Sequence, residues 1–470
     1  MVALASIFLD FNLPNAATWF YFSLLLAIAL FFKFSRFLSV RNWDVLSLFL
    51  LVPGLLLLQE AHQQEKAENA GLETARLIGA GSQALSAPGS GISGAVLATT
   101  AAAPLTPPPP RTLWLGYAWL LAGSGYFLFR CFVDLVLVRR PALSPNLNPS
   151  GLAWLALTLF VCLVAVAARR PVEPVGKESA PIREIREAAP RAVDQAVAET
   201  GANPEIAADS RVWVERTLAI LGHVAVLVAL ILIGYRHFHD AHAGMAAATF
   251  YLLLPYTALH VGQLHHVLPM ALLLWAVAFY RQPTLAGLFL GLAAGTIFPA
   301  ATFPVWLSFY RRRGAGRFTA AFVTAAVLGL VATGLVLDLS DWQPWLRQQP
   351  TTESFWSGIH WAYRIPVFVG FVAMVAATAF WPAPKNLAHL LALSAAVLIG
   401  IQFWYGDHGG VYVLWYLPLL LLLVFRPNLS DREALPIQQE TDWLARLGRR
   451  LARFGGRLQK LPEPPILRVR

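Results

Sequence analysis

Apolar runs closed by short polar links recur along this chain. They fall near 17–35, 44–58, 113–130, 151–168, 213–234, 243–260, 264–280, 318–337, 366–382, 387–404 and 410–425. Runs of this length suit helices that cross a ~30 Å hydrocarbon core. In lipid every backbone N–H and C=O needs an internal partner, which a helix supplies, and the runs are too long for barrel strands. The pattern predicts an all-α polytopic membrane protein with about 11 or 12 transmembrane helices. No basic stretch precedes the first run, so that run reads as a retained span and not as a cleaved leader.

The stretch 285–310, LAGLFLGLAAGTIFPAATFPVWLSFY, does not read as one span. Gly295, Pro299 and Pro304 near its centre weaken or remove helical hydrogen bonds. Charge points the same way. With the N-terminus outside and the C-terminus cytoplasmic, Lys33, Arg36, Arg41, Arg139, Arg140, Arg236, Arg281 and Lys385 all fall inside. A full crossing by 285–310 would then strand Arg311, Arg312, Arg313 and Arg317 outside. Two half-helices that enter and return on one side remove the conflict. Such a break survives at membrane depth only when buried in protein or lining a polar cavity.

The same pattern divides the chain. N-terminal membrane helices occupy 1–168, interrupted by a low-complexity loop at 59–112. A hydrophilic loop follows at 169–212, with a stretch, IREIREAAPRAVDQAVAET, that could form a short surface helix. A second membrane module spans 213–425, and a tail runs from 426 to 470. Composition agrees with the membrane assignment and leaves no soluble catalytic domain. Hydrophobic residues make up 57% and charged residues 13%, against about 25% charged in soluble domains. Of the net charge of +10, the tail carries half, with ten basic and five acidic residues. Its Leu444, Leu447, Leu451, Phe454, Leu458 and Leu461 alternate with Arg446, Arg449, Arg450, Arg453 and Arg457. That spacing predicts a basic amphipathic helix on the inner leaflet, or else a short coiled coil. The positive charge thus has the lipid bilayer as its partner, not nucleic acid. The two cysteines, Cys131 and Cys162, supply neither a disulfide framework nor a zinc site.

Between 236 and 313 the chain resembles integral membrane glycosyltransferases of the GT-C superfamily, especially polyprenol-phosphate-dependent, mannosyltransferase-like members. The matching pieces are Pro255, Gly262-Gln263, an apolar span, Arg281 with Pro283, Gly287, Gly291-Leu292, Pro299 and a closing arginine cluster. The resemblance implies transfer of a sugar from a lipid-phosphate carrier at the extracytoplasmic face, with a lipid-linked donor as partner and a bacterial inner (cytoplasmic) membrane as location. It also implies a carboxylate in an outer loop as general base on the acceptor hydroxyl. This chain departs from the family in its first interhelical link, RFLSVRNWD, which is basic.

Four polar clusters are candidates for chemistry. His260, Gln263, His265 and His266 sit at the outer end of two runs, where imidazole and amide groups could bind a phosphate or a sugar hydroxyl; otherwise they form a hydrated turn. Asp407 and His408, in YGDHGG, could supply the base, or be ordinary turn residues. His237, His239, Asp240 and His242 have the spacing of metal ligands but fall in a basic turn on the inner side, so no metal site is assigned. The stretch 338–364 holds Asp338 and Asp341, reserve candidates for the base, in an aromatic segment that could roof a cavity or lie at the interface. Cofactor use is left open, a divalent cation included, as are the sugar, the acceptor and the oligomeric state. The alternative to a glycosyltransferase is a non-catalytic membrane scaffold or a transporter.

Overall fold

The computed structural model describes residues 16–64, 111–137, 143–169, 204–296, 298–311, 313–333, 354–405 and 409–427, with Ala67 and Asp194. The described residues form helices and no strands. In chain order the α-helices are α1 (Ala16–Phe31), α2 (Val40–Gln64), α3 (Arg111–Val136), α4 (Pro149–Arg169), α5 (Pro204–His237), α6 (Ala241–Leu253), α7 (Pro255–Leu259) and α8 (Leu264–Ala278). They continue with α9 (Pro283–Ala294), α10 (Phe303–Tyr310), α11 (Ala315–Thr333), α12 (Arg364–Phe380), α13 (Leu387–Trp404) and α14 (Leu417–Phe425). Among the described residues six helices are long and apolar enough to cross a membrane, and five shorter ones are apolar. The protein is an all-α polytopic membrane protein. Residues 68–110 of the expected loop 59–112, most of 169–203, and the tail beyond 427 lie outside the described residues, as do Arg139 and Arg140, while 59–64 continue α2 and 204–212 open α5.

Contacts sort the helix ends into two sets. At one end His237 Nε2 meets Ala278 O at 2.8 Å, His242 Nε2 meets Leu147 O at 2.9 Å, and Asn146 Nδ2 donates to Ala29 O at 3.0 Å. Arg41 donates to Ser144 O at the same end. At the opposite end Arg216 donates to Ala168 O at 3.0 Å, and Trp356 donates to Phe403 O at 3.0 Å. The first end carries Lys33, Arg36, Arg41, Arg236, Arg281, Arg311, Arg313, Arg317, Lys385 and Arg426, and is called the basic end below.

The segment 283–310 is a hairpin. Helices α9 and α11 run parallel, because Gly287 faces Phe318, Gly291 faces Phe322 and Gly295 faces Gly329 in the same order. A Cβ on Gly291 would collide with the Phe322 carbonyl, so this close approach needs glycine. The chain must therefore return between them through α10. The Tyr310 hydroxyl donates to Tyr280 O, and Gly314 lies against Pro283, which closes the return at the basic end. With 12 residues, α9 is about 18 Å long, too short to cross a ~30 Å core. Side chains add hydrogen bonds to carbonyls at the tip: Thr296 Oγ1 donates to Ala293 O at 2.6 Å, which also accepts from Thr296 N at 2.9 Å, and Thr302 Oγ1 donates to Pro299 O at 2.7 Å. Trp306 Nε1 donates to Ser394 Oγ at 3.2 Å, so the returning half is buried against α13.

Two expected spans take different shapes. The run at 44–58 becomes α2, from 40 to 64, broken by turns at Leu48–Leu51. Pro53 has no N–H to offer the Phe49 carbonyl four residues back, and its ring crowds that carbonyl. The Phe49 carbonyl accepts from Val52 N at 3.1 Å instead, and neighbouring groups of the broken turn find side chains: Tyr256 OH donates to Leu48 O (2.8 Å) and accepts from Leu51 N (3.2 Å), while Trp119 Nε1 donates to Leu50 O (2.7 Å). The run at 410–425 is α-helical only over Leu417–Phe425, because Val413–Trp415 form a tighter 3-10 turn before α14, which has Pro418 in its first turn.

A buried charge chain sits near the basic end. Arg130 forks onto Asp44, with Nε–Oδ1 3.1 Å and Nη2–Oδ2 3.3 Å, and reaches Asp134 Oδ1 at 3.2 Å. The other oxygen of Asp134 accepts from Arg426 Nη2 at 2.8 Å. The chain ties α2 and α3 to the end of α14. Nearby, in the link between α12 and α13, Lys385 Nζ donates to Ala379 O at 3.1 Å and Pro382 O at 3.0 Å. Burial pulls its ammonium down to about 8 from 10.5.

Candidate functional site

At the end opposite the arginines, Leu254 is extended and Pro255 starts a fresh turn of helix, because proline offers no N–H to continue α6. The chain then turns over 260–263 into α8. This turn carries His260 and Gln263, both half-buried, while the buried His265 and His266 open α8 behind it. His260 Nδ1 and Gln263 Oε1 are 2.6 Å apart, a bond in which the imidazole N–H donates to the amide oxygen.

The imidazoles begin an aromatic ladder. His260 stacks on His266 with centroids 3.9 Å apart, and His266 stacks on Tyr412 at 4.9 Å. Tyr412 stacks on Trp415 at 4.3 Å, and Trp415 on Phe298 at 4.7 Å. Phe298 is the first residue of the 3-10 turn at the tip of the 283–310 hairpin. His265 packs beside His266 at 4.5 Å, and its carbonyl accepts from Trp415 Nε1 at 3.1 Å. Tyr405 meets Phe298 edge-on at 4.7 Å and Tyr412 at 5.9 Å. The ladder thus joins the histidine turn, the helix break and the loop after α13 at one end of the bundle.

Its inner rungs are closed to solvent. Phe298, Tyr412 and Trp415 are at most 3% exposed, whereas His260 and Gln263 are half-buried. The fully buried Gln402 braces the loop after α13, accepting from Gly410 N at 3.1 Å. Gly410 has φ +90°, a conformation that glycine adopts without a Cβ clash.

The predicted site residues divide in two. His260, Gln263, His265 and His266 come together within one turn and its following helix. Asp407, His408, Asp338 and Asp341 lie outside the described residues. The chain on either side of 406–408, at Tyr405 and Gly409, reaches the ladder or its brace. Tyr412 and Trp415 were hidden in the sequence because they fall inside an apolar run that reads as a span. Their spacing of three with aromatic character is a weak signal, since core helices have it as well. The spacing H-x-H-D-x-H has a structural use. His237 and His242 bond to separate carbonyls, and Asp240 caps α6 by accepting from Ala243 N at 3.0 Å. Among the described residues no group of three His, Cys, Asp or Glu could hold a metal ion.

Residues 207–427 match the family model "GT87: Glycosyltransferase family 87", a family of the GT-C type. This stretch is similar to a glycosyltransferase family 87 module. The module runs from α5 through α14 and so contains the histidine turn, the hairpin and every rung of the ladder. No curated protein and no solved structure matches the chain.

Proposed function

We propose that the 213–425 module moves a sugar from a polyprenyl-phosphate carrier to an acceptor hydroxyl at the histidine end of the bundle. In this reading the basic end faces the cytoplasm, the histidine end faces outward, and the membrane is a bacterial inner membrane. The concentration of Lys and Arg at the basic end supports that orientation. The observation that carries the reading is the ladder, which brings a polar, partly exposed turn onto the tip of a helix break in a glycosyltransferase-family module.

The roles follow from the chemistry of each group. Gln263 and His260 are assigned to donor binding: the Gln263 amide N–H suits phosphate or sugar oxygens, and His260 orients that amide through the bond from its Nδ1, its own Nε2 being buried. His265 and His266 fix the rings behind them. Asp407 is assigned as the base that removes the acceptor proton as the glycosidic bond forms, with His408 beside it. Asp338 and Asp341 are its replacements if Asp407 points elsewhere.

The test uses full-length protein in lipid nanodiscs with a panel of polyprenyl-phosphate sugars and membrane-extract acceptors. Asp407→Asn is expected to lower transfer by about 10²–10⁴-fold, the span of a general base, with the melting temperature unchanged. Gln263→Ala should mainly raise the donor KM. Transfer by Asp407→Asn at the wild-type rate overturns the assignment of the base. No transfer from any lipid-phosphate sugar overturns the choice of donor.

A further inference from the structure

Under the turn lies a polar pair that no step above uses. His223, in the middle of α5, is 2% exposed, and its Nδ1 is 2.8 Å from the hydroxyl of Tyr251 on α6, which is 1% exposed. The imidazole also lies against the backbone of Val261, within the turn itself. The Tyr251 carbonyl accepts from Thr257 Oγ1 at 2.5 Å, and Thr257 is one helical turn ahead of His260. Gly222, the neighbour of His223, lies against Val267 of α8, so α5, α6 and α8 meet at this level.

A buried hydroxyl and imidazole cost desolvation that an apolar pair of the same size would avoid. Ionisable groups kept at such a depth in a membrane bundle are rare and mark functional sites by default. The pair also has a mechanical consequence. The segment 254–263 starts afresh after α6, because Pro255 has no N–H to carry the hydrogen-bond ladder from α6 into α7. It is held from one side by Tyr256, whose hydroxyl bridges Leu48 and Leu51 of α2, and from below by Tyr251 through Thr257. Tyr251 is in turn fixed by His223.

We infer that His223 is a positioning residue, acting through Tyr251 and the Val261 backbone to set the geometry of the His260–Gln263 turn. Its functional consequence rests on the donor-binding role proposed for that turn. A bonded His223–Tyr251 pair keeps the His260 ring stacked on His266 and keeps Gln263 at the open edge. An apolar pair would pack the same space and let the turn drift.

The experiment compares Tyr251→Phe and His223→Leu with His223→Asn, whose amide oxygen reaches the position of Nδ1. Full-length protein in nanodiscs is followed by hydrogen exchange, thermal melting and donor kinetics with polyprenyl-phosphate mannose. For Tyr251→Phe and His223→Leu, exchange at 260–263 should rise about tenfold while protection elsewhere in α5, α6 and α13 holds, as local opening requires. The donor KM should rise about tenfold with kcat within twofold, the mark of lost binding geometry and not of a smaller active fraction. His223→Asn should restore both. Unchanged exchange at 260–263 overturns the inference. So does a loss of protection spread through α5 and α6, or a fall in kcat alone. If wild-type protein transfers from no lipid-phosphate donor, the donor assignment fails while the exchange measurement still decides the role of His223.

Discussion

Asp134 is the hinge of the charge chain, and replacing it by Asn isolates what the chain contributes. Its carboxylate is 1% exposed, accepting from Arg426 at 2.8 Å and from Arg130 at 3.2 Å. The two partners differ in what they lose. Arg130 keeps its fork onto Asp44, so its loss is partial. Arg426 is 6% exposed, and Asp134 is its ion-pair partner among the described residues. Breaking a buried pair by removing one charge costs about 3–5 kcal/mol, because the other charge is left uncompensated. Asn retains one acceptor oxygen, which returns about 1 kcal/mol of hydrogen bonding. The expected net loss for Asp134→Asn is therefore about 2–4 kcal/mol. Arg426→Met should cost less, because Asp134 still has Arg130. The double variant should be more stable than the sum of the two singles, since it removes both charges of one pair. Reversible unfolding in mixed micelles, followed by tryptophan fluorescence, measures all three. A loss under about 0.5 kcal/mol for Asp134→Asn, or strict additivity in the double variant, would show that the chain is not a coupled network.

Other outcomes follow from the same geometry. Single cysteines placed at 313 and after 470 should react with membrane-impermeant reagent from the same side, opposite to a cysteine at 262; labelling of 313 together with 262 would mean that 285–310 crosses fully. Gly291→Leu should destabilise by about 1–3 kcal/mol as an overpacked contact, because a Cβ there meets the Phe322 carbonyl; a wild-type melting temperature would contradict the close α9–α11 packing. Lys385 titrates at about 8 in the fold and at 10.5 when free, so the unfolded chain binds more protons between those values. Stability should rise with pH across that window and be flat in this contribution below it. Lys385→Gln should remove that part of the rise, and an identical pH profile in the variant would refute it.

The hairpin shows what could be read early. Gly295, Pro299 and Pro304 sit where helical hydrogen bonding fails, and four arginines sit where a full crossing would misplace them. Both signals are local, so one sequence suffices to state them. The break in α2 was equally local at Pro53, but a single proline in an apolar run also fits an unbroken kinked helix. What completes that break is Tyr256, about 200 residues away in the chain, and no spacing rule links the two.

The sequence by itself determined the class of the protein, the run of helices, the relative sides of the basic links and the grouping of His260, Gln263, His265 and His266. These follow from hydrophobic length, charge near helix ends and proximity along the chain. Only the tertiary structure decided that Phe298, Tyr412 and Trp415 continue the imidazole stack, that His237 and His242 serve separate carbonyls, and that Asp44 shares a charge chain with Arg426. The physical reason is common to all three. In an apolar bundle most residues satisfy the same one-dimensional pattern, and which aromatic faces meet, or which buried charges pair, depends on how helices distant in the chain cross.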